Sequence, residues 1–327
     1  MPASREIHLL RRPDGVPRPT DFAVVEAAVS DPGEGEFLVQ NLLLSVDPYM
    51  RPRLNADQAL NCALLGGGIG RVTASRSPRF AEGDLVRHGG GMREIFLSDG
   101  AGVAVLKPDP DLPLTVYMHA LGGTGMTAYA GLLEVGALAD GEQVFVSTAA
   151  GAVGSVAAQI AKIRGCWVVG STGAADKAAW LRDEVGLDAV IDYKAQPLKA
   201  ALTAATPKGI DVYFENVGGA HLDAALTRMN LRGRIPVCGM ISTYNGGGEP
   251  VSGLFNLIYG RVTMRGFVAS DFGHLTGAFL ADMTGWLKDG RIKYRETILE
   301  GFERAPEGLI GLFEGRNTGK MLIRVAE

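Results

Sequence analysis

From Gln143 onward the chain alternates short apolar runs with amphipathic segments of helical period. No other feature of the sequence constrains the fold as strongly. The runs QVFVSTA, CWVVGST, DAVIDY, DVYFENV, GRIPVCG and VTMRGFV read as strands. Between them VGSVAAQIAKIRG, ADKAAWLRDEVG, LKAALTAATP and AHLDAALTRMN read as helices, and HLTGAFLADMTGWLKDG follows the last strand. Strands linked by helices through short connections predict an α/β fold with a parallel six-stranded sheet covered on both faces. A further helical segment, GMTAYAGLLEVGAL, opens this region after His119.

The first strand–helix joint, STAAGAVGS, has the form of a dinucleotide turn. Gly151 and Gly154 occupy the second and third glycine positions, and Ala149 replaces the first. Alanine is compatible with such a turn if its φ stays negative. The helix that follows would direct its free N–H groups at a pyrophosphate. A carboxylate at the end of the second strand would accept from a ribose 2′-hydroxyl, but the strand ends in Gly170, Ser171 and Thr172, with Lys177 on the next helix. The missing acid and the lysine favour NADP over NAD.

The first third is different. FLVQNLLLSV, GIGRVTAS, EGDLVRH, MREIFLSD and GVAVLKP read as strands separated by glycine turns, a mostly β region ending near Pro113. After Lys293, RETILEG and GKMLIRVA read as strands around a helix in APEGLIGLFEG. A net charge of −4 with no basic run beyond Arg11 and Arg12, read as a solvated strand end, argues against a nucleic-acid partner. No stretch is apolar and long enough for a membrane span, no signal core precedes the first strand, and cytoplasm is the expected compartment. Cys62, Cys166 and Cys238 match no zinc spacing, and the latter two sit in apolar runs.

VDPYMR, GMTAYAGL, AAGAVGS, DYK, ENVGG, CGMISTYN and the GK after Asn317 follow one another in an order that resembles the zinc-independent medium-chain dehydrogenases/reductases. More narrowly, the chain is similar to the prostaglandin reductase, leukotriene 12-hydroxydehydrogenase and alkenal double-bond reductase group. The resemblance implies a Rossmann domain (119–292) inserted in a β-rich, partly barrel-like, GroES-like catalytic domain (1–118 and 293–327). It implies NADPH, an α,β-unsaturated aldehyde or ketone as substrate, and a homodimer.

Carried over by motif, Gly151, Ala152, Val153 and Gly154 are expected at the pyrophosphate, and Lys177 and Tyr193 at the 2′-phosphate. Asn216 is expected near the adenosine or ribose, with capping of the following helix as its alternative role. Cys238, Gly239, Ile241, Ser242, Thr243 and Tyr244 are expected beside the nicotinamide, with Phe267, Val268 and Ala269 running past it. Asn317 is expected to reach the cofactor from the tail.

LLGGGIGRV stands where metal-dependent relatives carry a His-Glu pair, so no metal is expected. Reduction of an enone then needs a hydrogen-bond donor for the carbonyl oxygen, which gains charge as hydride reaches the β carbon. A phenol remains protonated at neutral pH. Tyr244 is expected at the carbonyl or the nicotinamide ribose, whose 2′-hydroxyl is an alternative donor, and Tyr49 at the substrate wall, with simple aromatic packing as its alternative. Tyr259 reads as apolar packing in the run LFNLIYG, a pocket wall or a dimer contact, and His119 is the one histidine near a domain junction. Met92 and the short segment 75–91 depart from the family pattern on the substrate side. A quinone reductase of the same superfamily and a non-catalytic NADPH-binding sensor or structural protein are the alternatives.

Overall fold

The computed structural model describes residues 3–326. They divide into two compact units, one of residues 3–118, 296–317 and 321–326, the other of residues 119–295 and 318–320. In the first unit β1 (Ala3–Leu9) and β2 (Phe22–Ala28) form an antiparallel pair, Ala3 opposite Ala28. Next come β3 (Phe37–Val46), α1 (Met50–Ala56), β4 (Gly68–Ser75), β5 (Leu85–His88), β6 (Ile95–Ser98) and β7 (Ala104–Val105). β3 is buried along almost its whole length because it serves two cores. Phe37 and Val39 pack with Val72, Phe80 and Phe96, whereas Leu44 and Val46 join Ile7, Leu54, Met92 and Phe302.

The sequence reading contains neither β2 nor α1, and of β1 only a strand end at Arg11 and Arg12. α1 holds Pro52 in its first turn, where a missing N–H costs nothing. Arg11 and Arg12 are exposed after β1, yet each is tied down: Arg11 donates to Asp21 Oδ1 at 2.5 Å and Arg12 to the Leu54 carbonyl at 2.6 Å.

The second unit opens with α2 (Gly123–Ala130), extended by a wider turn over Gly131–Val135. Alternation then runs β8 (Gln143–Val146), α3 (Ala152–Ile163), β9 (Trp167–Thr172), α4 (Ala175–Asp183), β10 (Ala189–Asp192) and α5 (Leu198–Ala205). It continues through β11 (Ile210–Phe214), α6 (Gly219–Leu226), β12 (Met229–Val237), α7 (Asn256–Gly260), β13 (Thr263–Gly266) and α8 (Thr276–Lys288). These strands form a six-stranded parallel sheet in the order β10-β9-β8-β11-β12-β13. Its core includes Phe145, Val169, Ile191, Tyr213 and Ile235, with Phe145 and Tyr213 stacked at 4.8 Å.

Lys293–Arg295, which the sequence reading assigns to the tail, cluster with this second unit. Gln159 exchanges hydrogen bonds with the Lys293 backbone at 2.7 Å, and Arg295 pairs with Glu184 and lies over Trp180.

The tail supplies β14 (Glu296–Glu300), α9 (Ala305–Glu314) and β15 (Lys320–Arg324). A seven-stranded sheet results, ordered β14-β15-β3-β4-β5-β7 with β6 also on β3. β15 runs antiparallel to β3, Met321 opposite Val46.

Candidate active site

In the parallel sheet the chain leaves β8 toward β9 and β10, then crosses back to β11 on the other side of β8. Between β8 and β11 the outgoing connections diverge, which opens a crevice at the carboxyl ends of the strands. Most of the sequence-predicted site residues of this unit follow directly after those ends: 151–154 after β8, Lys177 after β9, Tyr193 after β10, Asn216 after β11, 238–244 after β12 and 267–269 after β13.

The glycine-rich turn is built without room to spare. A Cβ on Gly154 would lie 2.3 Å from the Thr148 carbonyl oxygen, so glycine lets α3 sit hard against the strand end. Thr148 itself has φ +51°, an uncommon left-handed conformation for a β-branched residue. Ala149 keeps its φ out of that region, and its methyl occupies space that the neighbouring strand leaves open: a Cβ on Gly170 would lie 2.7 Å from it. The first glycine of the pattern is thus replaced by a complementary pair. No side chain caps α3 at Gly151, and the first intrahelical bond runs from Ser155 N–H to the Gly151 carbonyl. The N–H groups of Ala152, Val153 and Gly154 therefore precede the helical ladder, the arrangement that binds phosphate.

Two contacts brace this turn that the sequence did not reveal. Buried His119 approaches the Ala152 carbonyl through Nε2 at 3.0 Å, a structural tie. Gly319, with φ +68°, donates its N–H to the Ala150 carbonyl at 2.8 Å and bridges Gly151. A Cβ there would fall 1.7 Å from the Arg295 carbonyl oxygen, so the GK of the tail requires its glycine. Asn317 is half-buried two positions ahead, in the other unit.

At the end of β9, Ser171 and Thr172 are buried and the Ser171 hydroxyl has no partner among the described residues. Gly173 admits Tyr193 and Lys194 closely: a Cβ would meet the Tyr193 hydroxyl at 2.7 Å and Lys194 Cε at 3.1 Å. Burial holds the Lys177 ammonium below its ordinary value. Asp176 opposes that shift and Lys194 adds to it. Two ammonium groups close together beside a phenol form a basic corner suited to a phosphate dianion. Lys194 was not predicted, because a lysine after DY carries no periodicity to mark it. The Tyr193 ring meets His221 edge-on at 4.9 Å, and burial lowers that imidazole to about 4.

Asn216 is not a helix cap, since α6 is capped at Gly218 without any side chain. Its amide donates to the Ser147 carbonyl at 2.7 Å and accepts from Cys238 Sγ at 2.8 Å, so it ties the ends of β8, β11 and β12 together. Burial pushes the Cys238 thiol well up, which keeps it a donor. Ile241–Thr243 form a 3-10 turn in which Ser242 and Thr243 stand exposed, and Tyr244 closes that turn. The Tyr244 oxygen accepts the Met240 N–H at 3.2 Å and packs against Gly239. Burial raises this phenol, partly offset by the Met240 N–H, so it is protonated at neutral pH and its own O–H is left to donate outward.

The Phe267 ring turns inward against Phe214 and Phe272, whereas Val268 is 58% exposed and Ala269 begins another 3-10 turn. Tyr49 in the first unit is 48% exposed, its phenol raised by partial burial and by Asp47. Met92 is a core residue, packed with Ile7 and Leu64 and lying against Gly66. Tyr259, in the apolar run LFNLIYG, is 67% exposed. With Leu254, Phe255 and Ile258 it forms an apolar surface.

Among the described residues no group of three or more His, Cys, Asp or Glu could hold a metal ion, and Cys62, Cys166 and Cys238 are dispersed. The donor set does not fit zinc.

Residues 5–106 match the family model of an N-terminal domain of oxidoreductase and residues 152–283 that of a zinc-binding dehydrogenase. The 2-alkenal reductase (NADP(+)-dependent) of Nicotiana tabacum is 41% identical over 99% of this chain and 98% of its own. The chain belongs to the zinc-independent medium-chain dehydrogenase/reductase group. The NADPH-dependent curcumin reductase of Escherichia coli is 38% identical over 97% of this chain and 96% of its own. The crystal structure of CurA from Vibrio vulnificus in complex with NADPH superposes with a TM-score of 0.93 at 38% identity, covering 99% of both chains.

Proposed function

We propose that the protein reduces the C=C bond of α,β-unsaturated aldehydes and ketones with NADPH. The carrying observation is the Tyr244 hydroxyl, which accepts a backbone N–H and so has its proton directed elsewhere, on the loop that leaves β12. The uncapped start of α3 and the Lys177–Tyr193–Lys194 corner fit the pyrophosphate and 2′-phosphate of this cofactor. When bound, NADPH supplies the hydride for the β carbon. Tyr244, kept protonated by its raised pKa, would hydrogen-bond the substrate oxygen as negative charge develops there, and a proton from solvent at the α carbon of the enolate would complete the saturated carbonyl. Asn216 and Cys238 hold the floor of the crevice in register. Tyr49 is assigned to the substrate wall and Asn317 to the cofactor by family motif. The test is NADPH absorbance with an enal, an enone and a quinone. Oxidation with the first two supports the reading; turnover of the quinone alone favours a quinone reductase, and turnover of none of them overturns the enzyme.

A second copy of this chain is the partner assigned to the outer edge of the parallel sheet. β13 ends the sheet, all four of its residues are exposed, and Phe255, Ile258 and Tyr259 stand beside it. A bare strand edge next to an apolar surface invites strand pairing. Sedimentation should give a dimer that Ile258→Asp weakens; a monomeric wild type refutes the assignment. Three free thiols fit a reducing cytoplasm, and no helix among the described residues is long and apolar enough to cross a membrane.

A further inference from the structure

One buried carboxyl at the crevice floor has no part in the chemistry above. Glu215 follows β11, is fully buried, and is pushed by burial toward its neutral form. Its Oε1 accepts the N–H of Val217 at 2.5 Å, the N–H of Gly218 at 3.0 Å and the Ser147 hydroxyl at 3.2 Å. Ser147 Oγ in turn accepts the Asn216 N–H at 2.9 Å. One oxygen thus organises every N–H of the Asn216–Gly218 turn, directly or through one hydroxyl.

That turn then holds the next loop. The Asn216 carbonyl accepts the Ile241 N–H at 3.1 Å, and the Val217 carbonyl accepts the Ser242 N–H at 3.0 Å and its hydroxyl at 2.6 Å. Ile241 and Ser242 belong to the 3-10 turn that Tyr244 closes. A continuous hydrogen-bonded path therefore runs from the buried carboxyl to the loop of the proposed proton donor.

We infer that Glu215 is a positioning residue for catalysis: its Oε1 fixes the Asn216–Gly218 turn and, through that turn, the Ile241–Tyr244 loop that carries the donor phenol. The inference rests on the reading of this crevice as the NADPH and enone site. A neutral acceptor of the same length suffices for the role, so the amide should replace the carboxyl.

The test compares Glu215→Gln, Glu215→Ala and Ser147→Ala. Hydrogen exchange of the Ile241 and Ser242 amides is read in the cofactor-free protein, and NADPH affinity, kcat and KM in the enzyme. Glu215→Gln should stay within about threefold of wild type in every readout. Glu215→Ala should deprotect Ile241 and Ser242 and lower kcat about tenfold or more, with a smaller change in substrate KM. Ser147→Ala should act in the same direction by about threefold and remains informative if Glu215→Ala does not fold. Exchange and kcat unchanged in folded Glu215→Ala, or Gln as damaging as Ala, overturns the inference. Wild-type protein that does not bind NADPH fails the functional reading instead, and the exchange data still judge the turn.

Discussion

Replacing Gly154 with alanine puts the dinucleotide turn to its most direct test. The added Cβ would lie 2.3 Å from the Thr148 carbonyl oxygen, 2.9 Å from its carbon and 3.0 Å from Ala149 Cα. All three are backbone atoms, so no rotamer change relieves the contact. α3 must withdraw from the strand by about 1 Å to restore ordinary separation. Thr148 already sits at φ +51°, which leaves the turn little slack. Overpacking of this kind costs about 2–3 kcal/mol, and at roughly 2–4 °C per kcal/mol the unfolding midpoint should fall by about 5–10 °C. Gly151→Ala is the control. Its Cβ meets Thr148 Cγ2 at 3.1 Å and the Thr148 carbonyl oxygen at 3.2 Å, contacts that a shift of a few tenths of an ångström relieves. Differential scanning calorimetry of both variants, with and without NADPH, measures the difference. A Gly154→Ala protein that melts with the wild type would mean that the helix is not seated on the strand end as described.

Tyr244→Phe should lower kcat for an enal by about tenfold or more while NADPH affinity, read by cofactor fluorescence, stays near wild type. Lys194→Ala should weaken NADPH binding about tenfold and leave NADH binding unchanged; equal losses for both would refute the basic corner. Burial lowers His88 and His221 from 6.5 to about 4, so both are neutral in the folded state and protonate more readily when unfolded. Their contribution to stability is fully present above pH 6.5 and is lost as pH falls from there toward about 4, at up to roughly 3 kcal/mol each. In melts at pH 7.5 and 5, His221→Leu should therefore lose less stability than wild type on acidification; an unchanged difference would show that His221 titrates normally in the fold.

What could be read ahead of the structure was what local pattern determines. Six strands alternating with amphipathic helices announce themselves through period and turn residues, and so did the missing acid after β9. Features held by contacts distant in sequence left no such trace. Gly319 matters because Arg295 and Ala150 crowd it, and nothing in the residues around it says so. α1 hid behind its own proline, and β2 behind polar residues that suit a strand open on one face. The exposure of Tyr259 was not legible for a different reason: apolar composition reports a need for cover without saying whether this chain supplies it.

The Ala149–Gly170 pair carries a lesson for anyone who varies this turn. The methyl of one fills the void left by the other, so Gly170→Ala alone collides with Ala149 and also with Leu187 Cδ1, each at 2.7 Å. Exchanged together, Ala149→Gly with Gly170→Ala should recover part of the loss, with only the flexible leucine left to move. A scan of single substitutions would score position 170 as immutable. A scan of pairs would find one volume shared between two strands, and two interchangeable ways of filling it.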